Sequence, residues 1–208
     1  MASNPNSLIS KLLPTNHRLI LNKILTREFK GVSGEVLVCG AGHNPHKKFG
    51  AIESVSTLDL DDSLDVDYVA DIHALPFPNS VFDSVVVIEV LEHCKNPDTA
   101  LAECRRVLKP GGLLIVSTPF MFHLHADPFD FFRFSRSYFM DRLEVFGSLK
   151  VIAFGNLIHV LLDSLSSSYA IFRIIRPISY ITSKIFPYTE SEKFPSGYVV
   201  VFRNRAEK

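Results

Sequence analysis

His123, His125 and Arg133 share one short stretch, Thr118 to Ser135, with Asp127, Asp130 and a run of phenylalanines. A histidine titrates near neutrality and can take a proton from a hydroxyl or an amine, while a guanidinium can clamp a carboxylate or phosphate. Phe120, Phe122, Phe129, Phe131, Phe132 and Phe134 would exclude water and shape an acceptor pocket around those groups. The same residues also suit a structural lid, with Arg133 paired to Asp130 or Asp127. His123-x-His125-x-Asp127 is half of a metal-hydrolase pattern. The next histidine is replaced by Pro128 and no other ligand cluster is evident, so the sequence assigns no metal.

A second constellation reads as a ligand crevice. Val36-Leu37-Val38-Cys39 is a short apolar run followed at once by Gly40-Ala41-Gly42, as a buried strand needs when it must turn tightly and expose backbone to a ligand. Ser54 to Leu58 is a second strand-like run that delivers Asp59 about 20 residues beyond the glycines, where a carboxylate can accept ribose hydroxyls. Asp61 and Asp62 read as solvated loop charges. A nicotinamide enzyme would place a third glycine after this turn. Pro45 stands there instead, which disfavours an oxidoreductase.

With Ala70-Asp71-Ile72-His73-Ala74-Leu75-Pro76-Phe77, Glu89-Val90-Leu91-Glu92-His93 and Leu108-Lys109-Pro110-Gly111-Gly112 added in order, residues 34 to 155 resemble the class I S-adenosylmethionine-dependent methyltransferases, in the small-molecule branch with an LPF-type third motif. The resemblance implies S-adenosylmethionine as cofactor. It places Gly40, Ala41 and Gly42 against the methionine part, and Asp59 with neighbouring Leu60 at the ribose. Asp71 would lie at the adenine amino group, Ile72 would wall the adenine, and Glu89 would meet the cofactor through its backbone with His93 close by. His43-Asn44-Pro45 departs from the family pattern and bears on cofactor affinity. The stretch after the fifth strand also resembles a branch found beside surface-polysaccharide genes, which implies a sugar or glycan acceptor.

These residues must be positioned by a fold. The chain has 208 residues, 47% of them hydrophobic and 21% charged, enough for one substantial core. Strands are expected at about 35–39, 54–59, 67–70, 82–88 and 112–118, with Val151 to Phe154 and Tyr198 to Phe202 completing the sheet. Alternation with helical segments predicts an α/β, Rossmann-like, doubly wound, mostly parallel seven-stranded sheet with helices on both faces. A short helix is expected between the first two strands. The clearest helix opens at Asn96-Pro97-Asp98, with Ala100, Leu101, Cys104, Val107 and Leu108 on its buried stripe. The resemblance makes the last strand antiparallel.

The expected organisation is an N-terminal helical segment, 1–33, and a methyltransferase domain, 34–208. The segment carries Leu8, Leu12, Leu19, Ile20, Lys23 and Ile24 in a rhythm broken at Pro14, and would pack on the sheet or close over the cofactor. Residues 156–186 form an apolar helical insertion, long for a connection between final strands. Arg173, Arg176 and Lys184 would let it lie on a membrane surface or receive a lipid-linked acceptor, although a helical cap or dimer contact is preferred.

The 22 basic and 22 acidic residues balance, so no global field favours RNA or DNA. Cys39, Cys94 and Cys104 lack metal spacing and read as reduced thiols. The opening residues are polar and no run is long enough to span a bilayer, so a cytoplasmic protein is expected, with peripheral contact at the inner face of a membrane as a variant. The functional expectation is methyl transfer to an oxygen or nitrogen of a small molecule or glycan. A non-catalytic methyltransferase-like scaffold is the alternative.

Overall fold

The computed structural model describes residues 14–42, 52–125, 129–166, 181 and 192–205. Seven strands form one sheet: β1 (Gly34–Cys39), β2 (Ile52–Asp59), β3 (Tyr68–Val69), β4 (Phe82–Ile88), β5 (Leu108–Pro119), β6 (Gly147–Phe154) and β7 (Gly197–Asn204). Their order is β3-β2-β1-β4-β5-β7-β6. The first five pair in parallel, and β7 runs antiparallel to both β5 and β6. The doubly wound sheet expected from sequence is therefore the one present. The short helix expected after β1 and most of the 156–186 insertion lie outside the described residues.

Alternation along each strand builds two cores. Leu37 and Cys39, Val85 and Val87, and Leu114 and Val116 face one side, where α2 (Pro97–Val107) and α3 (Arg136–Leu143) contribute Ala100, Leu101, Cys104, Val107, Phe139 and Leu143. Val36 and Val38, Val86 and Ile88, and Leu113 and Ile115 face the other, beneath Ile20, Leu21, Ile24 and Leu25 of α1 (Asn16–Glu28). The buried stripe of α1 thus takes Ile20 and Ile24 from the expected rhythm, adds Leu21 and Leu25, and leaves Lys23 exposed. Leu8 and Leu12 lie outside the described residues.

Two boundaries differ from the sequence reading. Leu108 is buried but extended, at φ −74° and ψ 135°, and begins β5 rather than ending α2. Pro110, which has no amide hydrogen to donate, cannot continue a helix, so the chain turns into the sheet four residues early, through an irregular pairing between Phe82 and Leu108. The strand expected at Val151 instead begins at Gly147 and pairs along its full length with β7.

A further helix, α4 (Leu157–Ser166), locks α1 in place. The first-turn amides of a helix lack intrahelical acceptors. Here the Asp163 carboxylate accepts from the amides of Asn16, at 3.0 Å, and His17, at 2.8 Å, while Thr15 Oγ1 accepts from Arg18 at 3.2 Å. A negative charge at that end also suits the helix dipole. Asp163 is 2% exposed, so water does not replace these bonds when the carboxylate is removed. Asp163→Ala should lower stability by about 2 kcal/mol, read as an earlier midpoint in urea unfolding, with the loss of amide-exchange protection concentrated in α1.

Candidate functional site

The sequence-predicted residues gather at the carboxyl ends of β1 to β5. Gly40 leaves β1 at φ +67°, and a Cβ there would meet Val90 Cγ2 at 2.2 Å, so only glycine fits. Its amide and that of Ala41 donate to the Leu58 carbonyl, at 2.8 and 3.2 Å. Gly42, at φ +53°, donates to Asp59 Oδ2 at 2.9 Å, and a Cβ on it would meet nothing within 4 Å among the described residues. The glycine turn of β1 and the acidic end of β2 are thereby joined, with open space where a ligand can touch backbone. Leu60 follows with its side chain 71% exposed. His43, Asn44 and Pro45 lie outside the described residues.

Beyond β3, Asp71 is exposed, and Oδ1 accepts from the His73 amide at 2.9 Å and faces His73 Nδ1 at 2.5 Å. The amide and ring of His73 hold its carboxyl below the ordinary range despite partial burial. Ile72 is buried in the core beside it.

Glu89 follows β4 with φ +56°, rare for a residue with a side chain. Its carboxylate accepts from Ser117 Oγ at 2.9 Å and from His17 Nε2 at 3.1 Å, and His17 Nδ1 lies 2.7 Å from Ser196 Oγ. Burial pushes the Glu89 carboxyl up, but His17, Arg18 and the Ser117 hydroxyl outweigh it and hold it below the ordinary range. The side chain is thus committed to α1 and β5, and the Glu89 amide donates to the Ser117 carbonyl at 3.0 Å.

A short 3₁₀ turn, Leu91–His93, carries the next groups. Glu92 is 0% exposed, and neither carboxylate oxygen has a hydrogen-bond partner. Burial, reinforced by the Glu89 charge, pushes its carboxyl up to about 9. The Glu92 carbonyl accepts from the amides of Phe131 and Phe132, at 2.8 and 3.3 Å, tying the post-β5 loop to this turn. His93 Nδ1 donates to the Phe129 carbonyl, and its Nε2 lies 3.7 Å from Glu92 Oε1.

On that loop, the His125 amide donates to Asp130 Oδ2 at 3.0 Å, its Nδ1 lies 3.3 Å from the same oxygen, and its Nε2 lies 3.9 Å from Glu92 Oε1. His123 is half-buried, with Nδ1 unpartnered, and its ring stacks near Phe122 at 4.2 Å. Burial lowers the pKa of both histidines, with neighbouring cations adding to the effect at His123. Arg133 forms a fork on Asp130, with Nη2 to Oδ2 at 2.6 Å and Nη1 bonded to Oδ1, and this holds Asp130 at about 2. Of the two readings of Arg133, the structure shows the pairing with Asp130, its i−3 neighbour, which occupies the fork. Asp127 lies outside the described residues.

His17, Glu92, Ser117 and Ser196 were not singled out from the sequence. Glu92 stood inside a quoted motif without a role, and nothing local marks His17, whose partners lie 72 and 179 residues away.

Residues 39–116 match the family described as methyltransferase domain. The chain is 33% identical over 108 residues to the ubiquinone biosynthesis O-methyltransferase of Maricaulis maris, covering 44% of this chain and 42% of that protein. It is 54% identical over 48 residues to the ubiquinone/menaquinone biosynthesis C-methyltransferase UbiE of Bordetella avium, covering 23% of this chain and 19% of that one. The chain therefore spans less than half the length of the curated relatives it matches. A solved structure of a SAM-dependent methyltransferase from Archaeoglobus fulgidus shares the fold at a TM-score of 0.62 and 17% identity, with 97% of this chain and 100% of that chain covered.

A buried carboxyl without partners costs stability. Glu92→Met should stabilise the fold by at least about 1–3 kcal/mol near pH 8. The wild-type contribution is fully present below the ordinary carboxyl pKa and is lost as pH rises toward about 9, whereas the variant lacks that slope. Urea unfolding at about pH 5 and pH 8 checks both the sign and the widening gap.

Proposed function

We propose that this chain, which carries a methyltransferase domain over residues 39–116 and the class I fold around it, uses S-adenosylmethionine to methylate an oxygen or nitrogen of a small molecule. The observation that carries this reading is the glycine turn: Gly42 leaves an open cradle beside the Asp59 carboxylate that its own amide holds. Such a cradle fits a ligand that presses against backbone and presents ribose hydroxyls to the acid. Gly40, Ala41 and Gly42 would take the methionine part, Asp59 the ribose, Leu60 and Ile72 the faces of the adenine, and Asp71 its amino group. The backbone at Glu89 and the ring of His93 would border the reacting end. When bound, the cofactor supplies an electrophilic methyl group on a sulfonium.

The remaining work falls to positioning and to one proton. His123 is the better base of the two post-β5 histidines. Burial lowers its pKa, and its Nδ1 has no hydrogen-bond partner among the described residues. His125 instead faces Asp130 on one side and Glu92 on the other. Arg133 acts through Asp130, holding the loop that carries both histidines. A basic imidazole supports an oxygen or nitrogen nucleophile, since both must shed a proton.

Phe129, Phe131 and Phe132 are exposed beside these groups. Their faces favour a flat, largely apolar ring, in keeping with the quinone pathways for which the Maricaulis maris and Bordetella avium relatives are named. Among the described residues no helix is long and apolar enough to cross a membrane.

Calorimetric titration of the purified protein with S-adenosylmethionine should show binding that Asp59→Ala weakens at least about tenfold, the loss of one charge-assisted hydrogen bond. His123→Ala should leave that binding intact and lower turnover on a phenolic acceptor about 10²-fold to 10⁴-fold. A folded wild-type protein that binds no cofactor would support the scaffold alternative.

A further inference from the structure

We propose that Glu92, His93 and His125 form a site for a divalent metal ion of the zinc class, set beside the methyl-transfer crevice and distinct from the His123-x-His125-x-Asp127 pattern in the sequence. One donor atom from each of the three residues lies within 4.8 Å of the others. Glu92 Oε1 is the common corner, 3.7 Å from His93 Nε2 and 3.9 Å from His125 Nε2. Ligand distances of about 2.0–2.2 Å put tetrahedral donors roughly 3.3 Å apart, so closure shortens the two Glu92 edges by about half an ångström and the edge between the histidines, at most 4.8 Å, by up to about 1.5 Å, within the reach of side-chain rotation.

Three further observations point the same way. First, Glu92 is fully buried and neither of its oxygens has a hydrogen-bond partner among the described residues, so its carboxyl stands at this corner without a hydrogen bond there. Second, both histidines are held from behind. The Phe129 carbonyl can only accept, so the His93 proton sits on Nδ1 and the lone pair on Nε2 faces Glu92. Asp130 Oδ2 accepts from the His125 amide at 3.0 Å and lies 3.3 Å from its Nδ1 without a hydrogen bond to that atom, so it fixes the backbone that carries the second imidazole. Third, the two rings meet edge to face with their centroids 5.2 Å apart. Arg133 is the cation nearest in this network, and its charge is matched by Asp130.

Two imidazoles and one carboxylate favour zinc, cobalt or iron over magnesium. Three protein donors leave a coordination position for water or an acceptor oxygen. This last consequence rests on the methyl-transfer reading: an acceptor hydroxyl bound there gives up its proton more readily, the proton passes to His123, and the oxygen keeps the electron pair that attacks.

The test uses untagged, metal-stripped full-length protein titrated with Co²⁺ in the absence of S-adenosylmethionine. The expected result is one ion per chain, with a visible ligand-field band of nitrogen and oxygen donors, displaced by Zn²⁺. Glu92→Gln and His125→Ala should each weaken uptake at least about 100-fold, and Asp130→Asn about 10-fold to 100-fold, as loss of an orienting partner does. Circular dichroism of the metal-free variants establishes that each is folded. Unchanged uptake in folded Glu92→Gln, a thiolate charge-transfer band assigning the ion to Cys39, Cys94 or Cys104, or no uptake by folded wild type would each overturn the proposal. Because cofactor titration with Asp59→Ala reads a different site, cobalt uptake without S-adenosylmethionine binding would leave the metal site standing and remove the methyl-transfer reading.

Discussion

β1 and β4 lie side by side in parallel, yet the chain leaves them in opposite directions: from β1 outward to β2 and β3, and from β4 outward to β5. Loops that diverge from adjacent strand ends cannot fill the space between them, and a crevice results. Its floor is narrow because Val90, just after β4, reaches back to Gly40, just after β1, so closely that a single methyl would not fit. Every candidate group stands on the rim of that divide. The β1 and β2 side offers backbone and a carboxylate, the β4 and β5 side offers imidazoles, and each side rests on a central strand, β1 or β4, that is buried on both faces.

Two glutamates three residues apart show how placement decides chemistry. Glu89 is held charged by His17 and Ser117, and so fastens α1 to the sheet. Glu92 has burial without partners, and the Glu89 charge beside it makes ionisation harder still. A fold selected for stability alone would replace such a group with an apolar side chain. Its retention in the wall of a crevice is the kind of local inconsistency expected where function outweighs packing.

Much of this was legible from local sequence. Gly40, Gly42 and Asp59 declare themselves because tight turns and strand ends are written in neighbouring residues, and the valine-rich run at β4 reads as a fully buried strand. The Arg133 to Asp130 pair was visible as one of two options because the partners lie three residues apart. What was not legible is set by distance and burial. Asp163 meets His17 across 146 residues, and no periodicity in α1 signals that its first turn borrows a carboxylate from α4. The isolation of Glu92 is a property of what surrounds it in space, which the string Glu89-Val90-Leu91-Glu92-His93 does not contain. The start of β5 was misplaced because a helix stripe and a strand both want an apolar residue at Leu108, and only the proline two residues on decides between them.

The position of β7 has a consequence for synthesis on the ribosome. It is made after β6 yet lies between β5 and β6, bonded to both along their lengths. Until its residues emerge from the exit tunnel, β5 and β6 cannot be neighbours, and both present unpaired backbone edges in the nascent polypeptide. Ser196, which leads into β7 and bonds His17, arrives in the same interval, so α1 completes its polar anchor only then. Vectorial translation therefore leaves α1 waiting for β7, and chaperones that shield strand edges would find their natural substrate in that gap.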